Sequence, residues 1–379
     1  MSTRPGTAPA AAERILLEHV KLDVLATGVT VAPEAMEWLV RESSGPLSVH
    51  EYPTTGGLTF ELPHEVFLNA PFDESYCESA AVTVRRGADG LVLEHADGGV
   101  VPVLRVLPLP GYLAGRDNRG RLVTDVAMSH ADRVRLSPLT GCAYDCTFCD
   151  LHLEEYVMHD ADQLVAAVDA AAADGDLPVR HVLLSGGSPR RRTYEQFEAV
   201  VGSVVEVCGQ RGLPVDVMMS PTIDGPEILD RLVARGVSAF SINLELHSEE
   251  ASRRHLGRKY LVTRKVAAEF IAHAVELLGS DGAVRSLIIP GLEPVDETLG
   301  GVEWLASLGC WPVLSPFRPA AGTPAERLPP PSSADLRRVL DESRAIAAAY
   351  DVALGPPCVP CQHNTLAFPW DVPANLREG

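Results

Sequence analysis

The chain has 379 residues, enough for one large domain or two of ordinary size, and its 46% hydrophobic and 22% charged content is that of a globular protein. A formal net charge of -19 argues against nucleic acid or an anionic membrane as partner, because phosphate binding draws most of its affinity from lysine and arginine. Residues 1–12 have neither the basic start nor the apolar core of a secretory signal, and no apolar run approaches membrane-spanning length, so a cytoplasmic location is expected.

Helical signals at residues 11–25 and 32–41 lead into a β-rich stretch. There, residues 81–86, 91–95 and 100–106 are separated by Gly- and Asp-containing turns at 87–90 and 96–99, a hairpin pattern. A composition change around 111–123 divides this smaller N-terminal α+β domain, residues 1–122, from the remainder of the chain. From 134 onward, aliphatic runs at 134–139, 181–187, 214–220, 239–246, 284–290 and 311–317 alternate with helix candidates at 160–173, 194–211, 225–235, 262–278 and 297–308. Strand-then-helix units in series predict a parallel sheet with right-handed crossovers over a core of residues 123–325. Near-continuous apolar strands suit a sheet buried on both faces, either an open doubly wound sheet or a barrel. Polar residues and glycines recur where each strand gives way to its helix, the face on which both architectures place their sites. Residues 326–379 read as a Pro-rich connector, a helix at 333–350 and a cysteine-containing tail.

Eight cysteines in a cytoplasmic chain are not expected to form a disulfide framework, and their grouping into one triplet and one pair points to metal. Cys77, Cys208 and Cys310 stand apart and read as buried apolar fillers. Cys142, Cys146 and Cys149 come directly after the first aliphatic run in a Cys-x3-Cys-x2-Cys loop. Three closely spaced thiolates can hold a four-iron four-sulfur cube and leave its fourth iron without a protein ligand. Zinc is the alternative, with His152 completing a tetrahedral Cys3His set. The pair Cys358 and Cys361, with His363 nearby, is a half-site for zinc or an auxiliary cluster, to be completed from elsewhere by Cys310 or Cys77.

The triplet with Phe148 before its last member, then one strand later Ser185, Gly186, Gly187, Ser188 and Pro189, resembles the radical S-adenosylmethionine (radical SAM) superfamily over residues 134–319. The resemblance implies a partial (βα)6 TIM-type barrel, a [4Fe-4S] cluster on the loop after its first strand, and S-adenosyl-L-methionine on the open iron. It implies reductive cleavage of that cofactor to a 5'-deoxyadenosyl radical and hydrogen abstraction from a small organic substrate, with rearrangement, carbon-carbon bond formation or lyase chemistry as outcomes. A flavodoxin- or ferredoxin-type reductant would supply the electron. By the same resemblance, Gly186 and Gly187 offer carbonyls to the methionine amine, Asn243 and Glu245 bond the ribose hydroxyls, and Arg258 meets the carboxylate. Phe148, Ser185 and Ser188 complete the cofactor-binding set, although the family commonly places a glutamate where this chain has Ser188. Segments 289–293 and 315–318 resemble the adenine side. Arg190, Arg191 and Arg192 are either a solvated helix entrance or a dock for an anion or an acidic electron carrier. The competing class is non-catalytic: an iron-sulfur electron carrier or a zinc-stabilised binding module.

Overall fold

The computed structural model describes residues 9–43, 45–49, 56–222 and 225–377; the first eight residues, on which part of the N-terminal reading rests, lie outside them. Six parallel strands form the centre of the molecule: Arg133–Leu136, His181–Leu184, Val215–Met219, Val237–Ile242, Val284–Ile288 and Trp311–Leu314. They neighbour one another in chain order, with a seventh strand, Ala127–His130, antiparallel at the edge of the first. That order decides between the two architectures. A doubly wound sheet reverses direction at a switch point, whereas right-handed crossovers that never reverse place every helix on one face and curl the sheet into a partial (βα)6 barrel.

The strands form because short β-branched and aliphatic runs are buried on both sides. Val134, Val182 and Val215 lie side by side in register, as do Leu136, Leu184 and Val217, and all six are essentially inaccessible to water. The outer layer is Ala161–Ala172, Tyr194–Gln210, Glu227–Ala234, Arg264–Leu278 and Val295–Ser307. Two of them start on a side-chain cap: Asp160 accepts from the Gln163 amide at 2.8 Å and Thr263 from that of Val266 at 3.4 Å. One helix that periodicity did not announce, Glu249–His255, comes after the fourth strand. The strands also end earlier than their apolar runs, at Leu136, Leu184, Met219, Ile242, Ile288 and Leu314, and the leftover residues turn inward.

The N-terminal part contains helices Ala11–Thr27 and Pro33–Glu42 and two small sheets. Leu91–His95 pairs with Val82–Arg86 and Val100–Pro102, as the turns at 87–90 and 96–99 imply. A second hairpin, Leu58–Leu62 with Val66–Ala70, is not legible in the sequence pattern, and it takes Arg105–Leu107 as its third strand. Apolar packing is continuous from Leu17 and Phe60 through Val134 and Phe240 to Leu340 and Phe368. Helix Ser333–Ala349 packs against both Val295–Ser307 and Ala11–Thr27. Among the described residues, no helix is long and apolar enough to cross a membrane.

Candidate functional site

A cavity of about 460 Å³ runs along the inside of the barrel, from Arg133 and His181 at the N-terminal ends of the strands to the leftover residues at their C-terminal ends. Cys142, Cys146, Phe148 and Cys149 line it from the loop after the first strand, and Ser185, Gly186, Gly187 and Ser188 from the turn after the second. The two loops are locked together. The Ser188 amide donates to Cys142 Sγ at 3.2 Å, and the Ser188 carbonyl accepts from the Ala143 amide at 2.9 Å. A β-carbon at Gly187 would fall 1.6 Å from the Gly141 carbonyl oxygen, and Gly141 itself has φ of 72°, so both positions require glycine. The unannounced helix pins the loop from the other side: the Thr147 amide donates to the His255 carbonyl at 2.8 Å, and Thr147 Oγ1 pairs with His255 Nδ1 at 2.8 Å.

The triplet's donor set fits an iron-sulfur cube better than a single zinc ion. A tetrahedral zinc with bonds of about 2.3 Å to sulfur needs thiolates roughly 3.8 Å apart. Among the described residues, neither the three cysteines nor any pair of them with His152 belongs to a set of three donors within 4.8 Å. Burial pushes the Cys149 thiol up to about 12 and the Cys146 thiol higher, with the Glu245 carboxylate adding to the effect on Cys146. Metal would therefore load with release of protons from these sulfurs.

Asn243 and Glu245 line the same cavity, though not as alternating positions of a strand. The fourth strand ends at Ile242, and Glu245 adopts φ of 68°, a left-handed residue bridged to Ile288 on the next strand. Asn243 Oδ1 accepts from the Leu287 amide at 3.2 Å. Glu245 Oε1 pairs with Lys259 Nζ at 2.7 Å, while its buried Oε2 has no partner among the described residues. A buried carboxylate oxygen without a donor is an unsatisfied acceptor, and it belongs to a residue that lines the cavity.

Arg258 does not take the place expected of it. Its side chain is 63% exposed, and both its amide and its Nε approach Asp145 Oδ1, at 2.7 Å and 3.4 Å. Of the two neighbours, the one that lines the cavity is Lys259, with a side chain 8% exposed. On the adenine-like side, Ile289, Ser315 and Phe317 line the cavity, whereas the Glu293 carboxylate instead accepts the amides of His247 and Ser248. Arg318 also lines the cavity and reaches back to Asn69 Oδ1 at 2.6 Å. Arg190 stacks over Tyr156 at 3.9 Å. The pair Cys358 and Cys361 does not meet Cys77, Cys310 or His363; it meets Asp132 and His181.

Residues 136–299 match the family model described as the Radical SAM superfamily. No curated protein matches the sequence. Among solved structures, a radical SAM methyltransferase from Sphaerobacter thermophilus is 17% identical, with 75% of this chain and 80% of that one aligned and a TM-score of 0.47. The FeFe-hydrogenase maturase HydG from Carboxydothermus hydrogenoformans is 15% identical over 62% of this chain and 57% of its own, with a TM-score of 0.46. The methyltransferase TsrM from Kitasatospora setae is 15% identical over 52% of this chain and 38% of its own, with a TM-score of 0.40.

Proposed function

We propose, from the premise that this chain is an enzyme of the radical SAM superfamily, that Cys142, Cys146 and Cys149 hold the [4Fe-4S] cluster by three of its irons. S-adenosyl-L-methionine then lies against Gly186 and Gly187, and the remaining cavity admits a small organic substrate from which hydrogen is abstracted. The observation that carries this reading is the convergence of the three cysteines, the glycine turn and Glu245 on one cavity. When bound, the cluster supplies the electron that cleaves the cofactor's sulfonium, and with it hydrogen abstraction that no side chain performs alone.

The chain's own residues bind and orient. The glycine turn lets backbone approach the cofactor, with the Ser188 amide committed to Cys142 Sγ. Glu245 accepts the ribose hydroxyls, and Lys259 holds that carboxylate in place. Asn243, held through its Oδ1, has its amide nitrogen left to donate. Phe148, Ile289 and Phe317 exclude water from the reacting end. A flavodoxin- or ferredoxin-type protein is the reductant this reading requires.

The test is direct. Anaerobically reconstituted protein given dithionite and S-adenosyl-L-methionine should form 5'-deoxyadenosine, and the C142A/C146A/C149A variant should form none. Glu245→Gln should raise the KM for the cofactor about tenfold, the loss expected for a hydrogen bond to a charged group. A protein with a full complement of iron that yields no nucleoside would be an electron carrier instead.

A further inference from the structure

The barrel has a second mouth, at the N-terminal ends of its strands, and the chain closes it with four metal-ligating side chains. Asp132 immediately precedes the first strand and His181 opens the second, where it lies in register with Arg133. Cys358 and Cys361 arrive from the C-terminal tail, 226 residues from Asp132 and 180 from His181 respectively. One donor atom from each of the four lies within 4.8 Å of all the others. Cys361 Sγ is 3.4 Å from His181 Nε2, Cys358 Sγ 3.6 Å from Asp132 Oδ1, and His181 Nε2 3.8 Å from that same oxygen.

We propose that Asp132, His181, Cys358 and Cys361 bind one tetrahedral zinc ion that seals this mouth and fixes the tail to the first two strands. Bonds of about 2.3 Å to sulfur and about 2.0 Å to nitrogen and oxygen set the sulfur-to-nitrogen and sulfur-to-oxygen edges near 3.5 Å. The chain already holds both edges at that length. The nitrogen-to-oxygen edge, 3.8 Å, must close to about 3.3 Å, and the two sulfurs, 2.6 Å apart, must open by roughly 1 Å, which rotation about the two cysteine χ1 angles supplies. The Cys361 amide donates to Cys358 Sγ at 3.3 Å, tying the two ligands into one turn. Two thiolates, a carboxylate and a neutral imidazole leave a zinc site with one net negative charge, and Arg133, lining the same cavity, faces it with a positive one. Four donors packed this closely suit a single ion, whereas a cluster spreads its ligands over two or more irons. The His363 ring, buried and stacked at 5.8 Å on His130, lies outside the set.

The site stands on its own residues and does not depend on the proposed reaction. Full-length protein purified without chelator should carry one zinc per chain, and the C142A/C146A/C149A variant should keep that zinc while losing its iron. After reduction and metal removal, that variant should take up one Co2+ per chain, with the intense d-d bands of tetrahedral cobalt and a thiolate charge-transfer band. His181→Ala and Cys361→Ser should abolish both. If those variants do not fold, the cobalt titration of the variant with an intact pair carries the test alone. Zinc-free protein that takes up no cobalt overturns the proposal, whether its two thiols alkylate freely or are joined as a disulfide, and so does iron with sulfide retained in the triple-alanine variant.

Discussion

A methyl group at position 187 has nowhere to go, because the Gly141 carbonyl occupies the place its carbon would take. Gly187→Ala must therefore push the glycine turn off the cysteine loop and break the bond from the Ser188 amide to Cys142 Sγ. Anaerobic reconstitution of that variant should yield less than half the iron per chain of the parent; equal loading would mean the two loops separate without consequence. Glu245 was legible as a polar residue within an apolar run, but its left-handed turn was not, since non-glycine residues seldom adopt that conformation. Arg258 was expected at the cofactor's carboxylate, and its neighbour Lys259 is the one that lines the cavity. Arg258 and Lys259 are both cations in the same short stretch, and only the turn after helix Glu249–His255 decides which faces the cavity and which meets Asp145.

At the scale of elements, the six strands and their order were readable because each apolar run is short, local and separated by an amphipathic helix. Their ends were not, because a residue beyond the last sheet pairing can be as apolar and as buried as one within it, as Leu139, Leu246 and Ile289 are. The hairpin at residues 58–70 escaped notice for a different reason. Its connection, Pro63–Glu65, contains His64 and Glu65 at φ of 59° and 60°, so the glycine or asparagine that usually marks such a turn is absent. The last helix carries an ordinary signal: Ser332 Oγ accepts from the Asp335 amide at 3.1 Å and donates to the Asp335 carboxylate at 2.7 Å. Ser332→Ala should cost about 1 kcal/mol in urea unfolding, with an unchanged slope. No shift in midpoint would show that this helix is held by packing alone.

For the molecule as a whole, the tail and the first helix are joined through charge placed in the core. Fully buried Lys21 donates to the carbonyls of Gln362 and Ala367 at 2.9 and 2.7 Å, while Arg344 bridges Glu18 and Asp371. Burial drives the Lys21 ammonium down to about 7. Since a free lysine titrates at about 10.4, the unfolded chain holds a proton between these values that the folded chain has released. Stability from this residue therefore rises with pH across that interval. Urea unfolding at pH 7 and pH 9.5 should show the parent gaining on Lys21→Met as pH increases. A constant gap between the two would place the Lys21 pKa near that of the unfolded chain.

What the sequence by itself determined is what is written in short spacings: a cysteine loop that suits an iron cube, a glycine turn one strand later, and strand-helix units in series. Each depends on residues within a few positions of one another, where chain geometry leaves few alternatives. Only the tertiary structure decided which distant groups meet. It brought His181 and Asp132 to a cysteine pair far along the chain, put Lys259 rather than Arg258 at the cavity, and left buried Glu245 Oε2 without a partner among the described residues. Such meetings arise from how the sheet curls and where the tail docks, a property of packing summed over the whole core and recorded in no local stretch of residues.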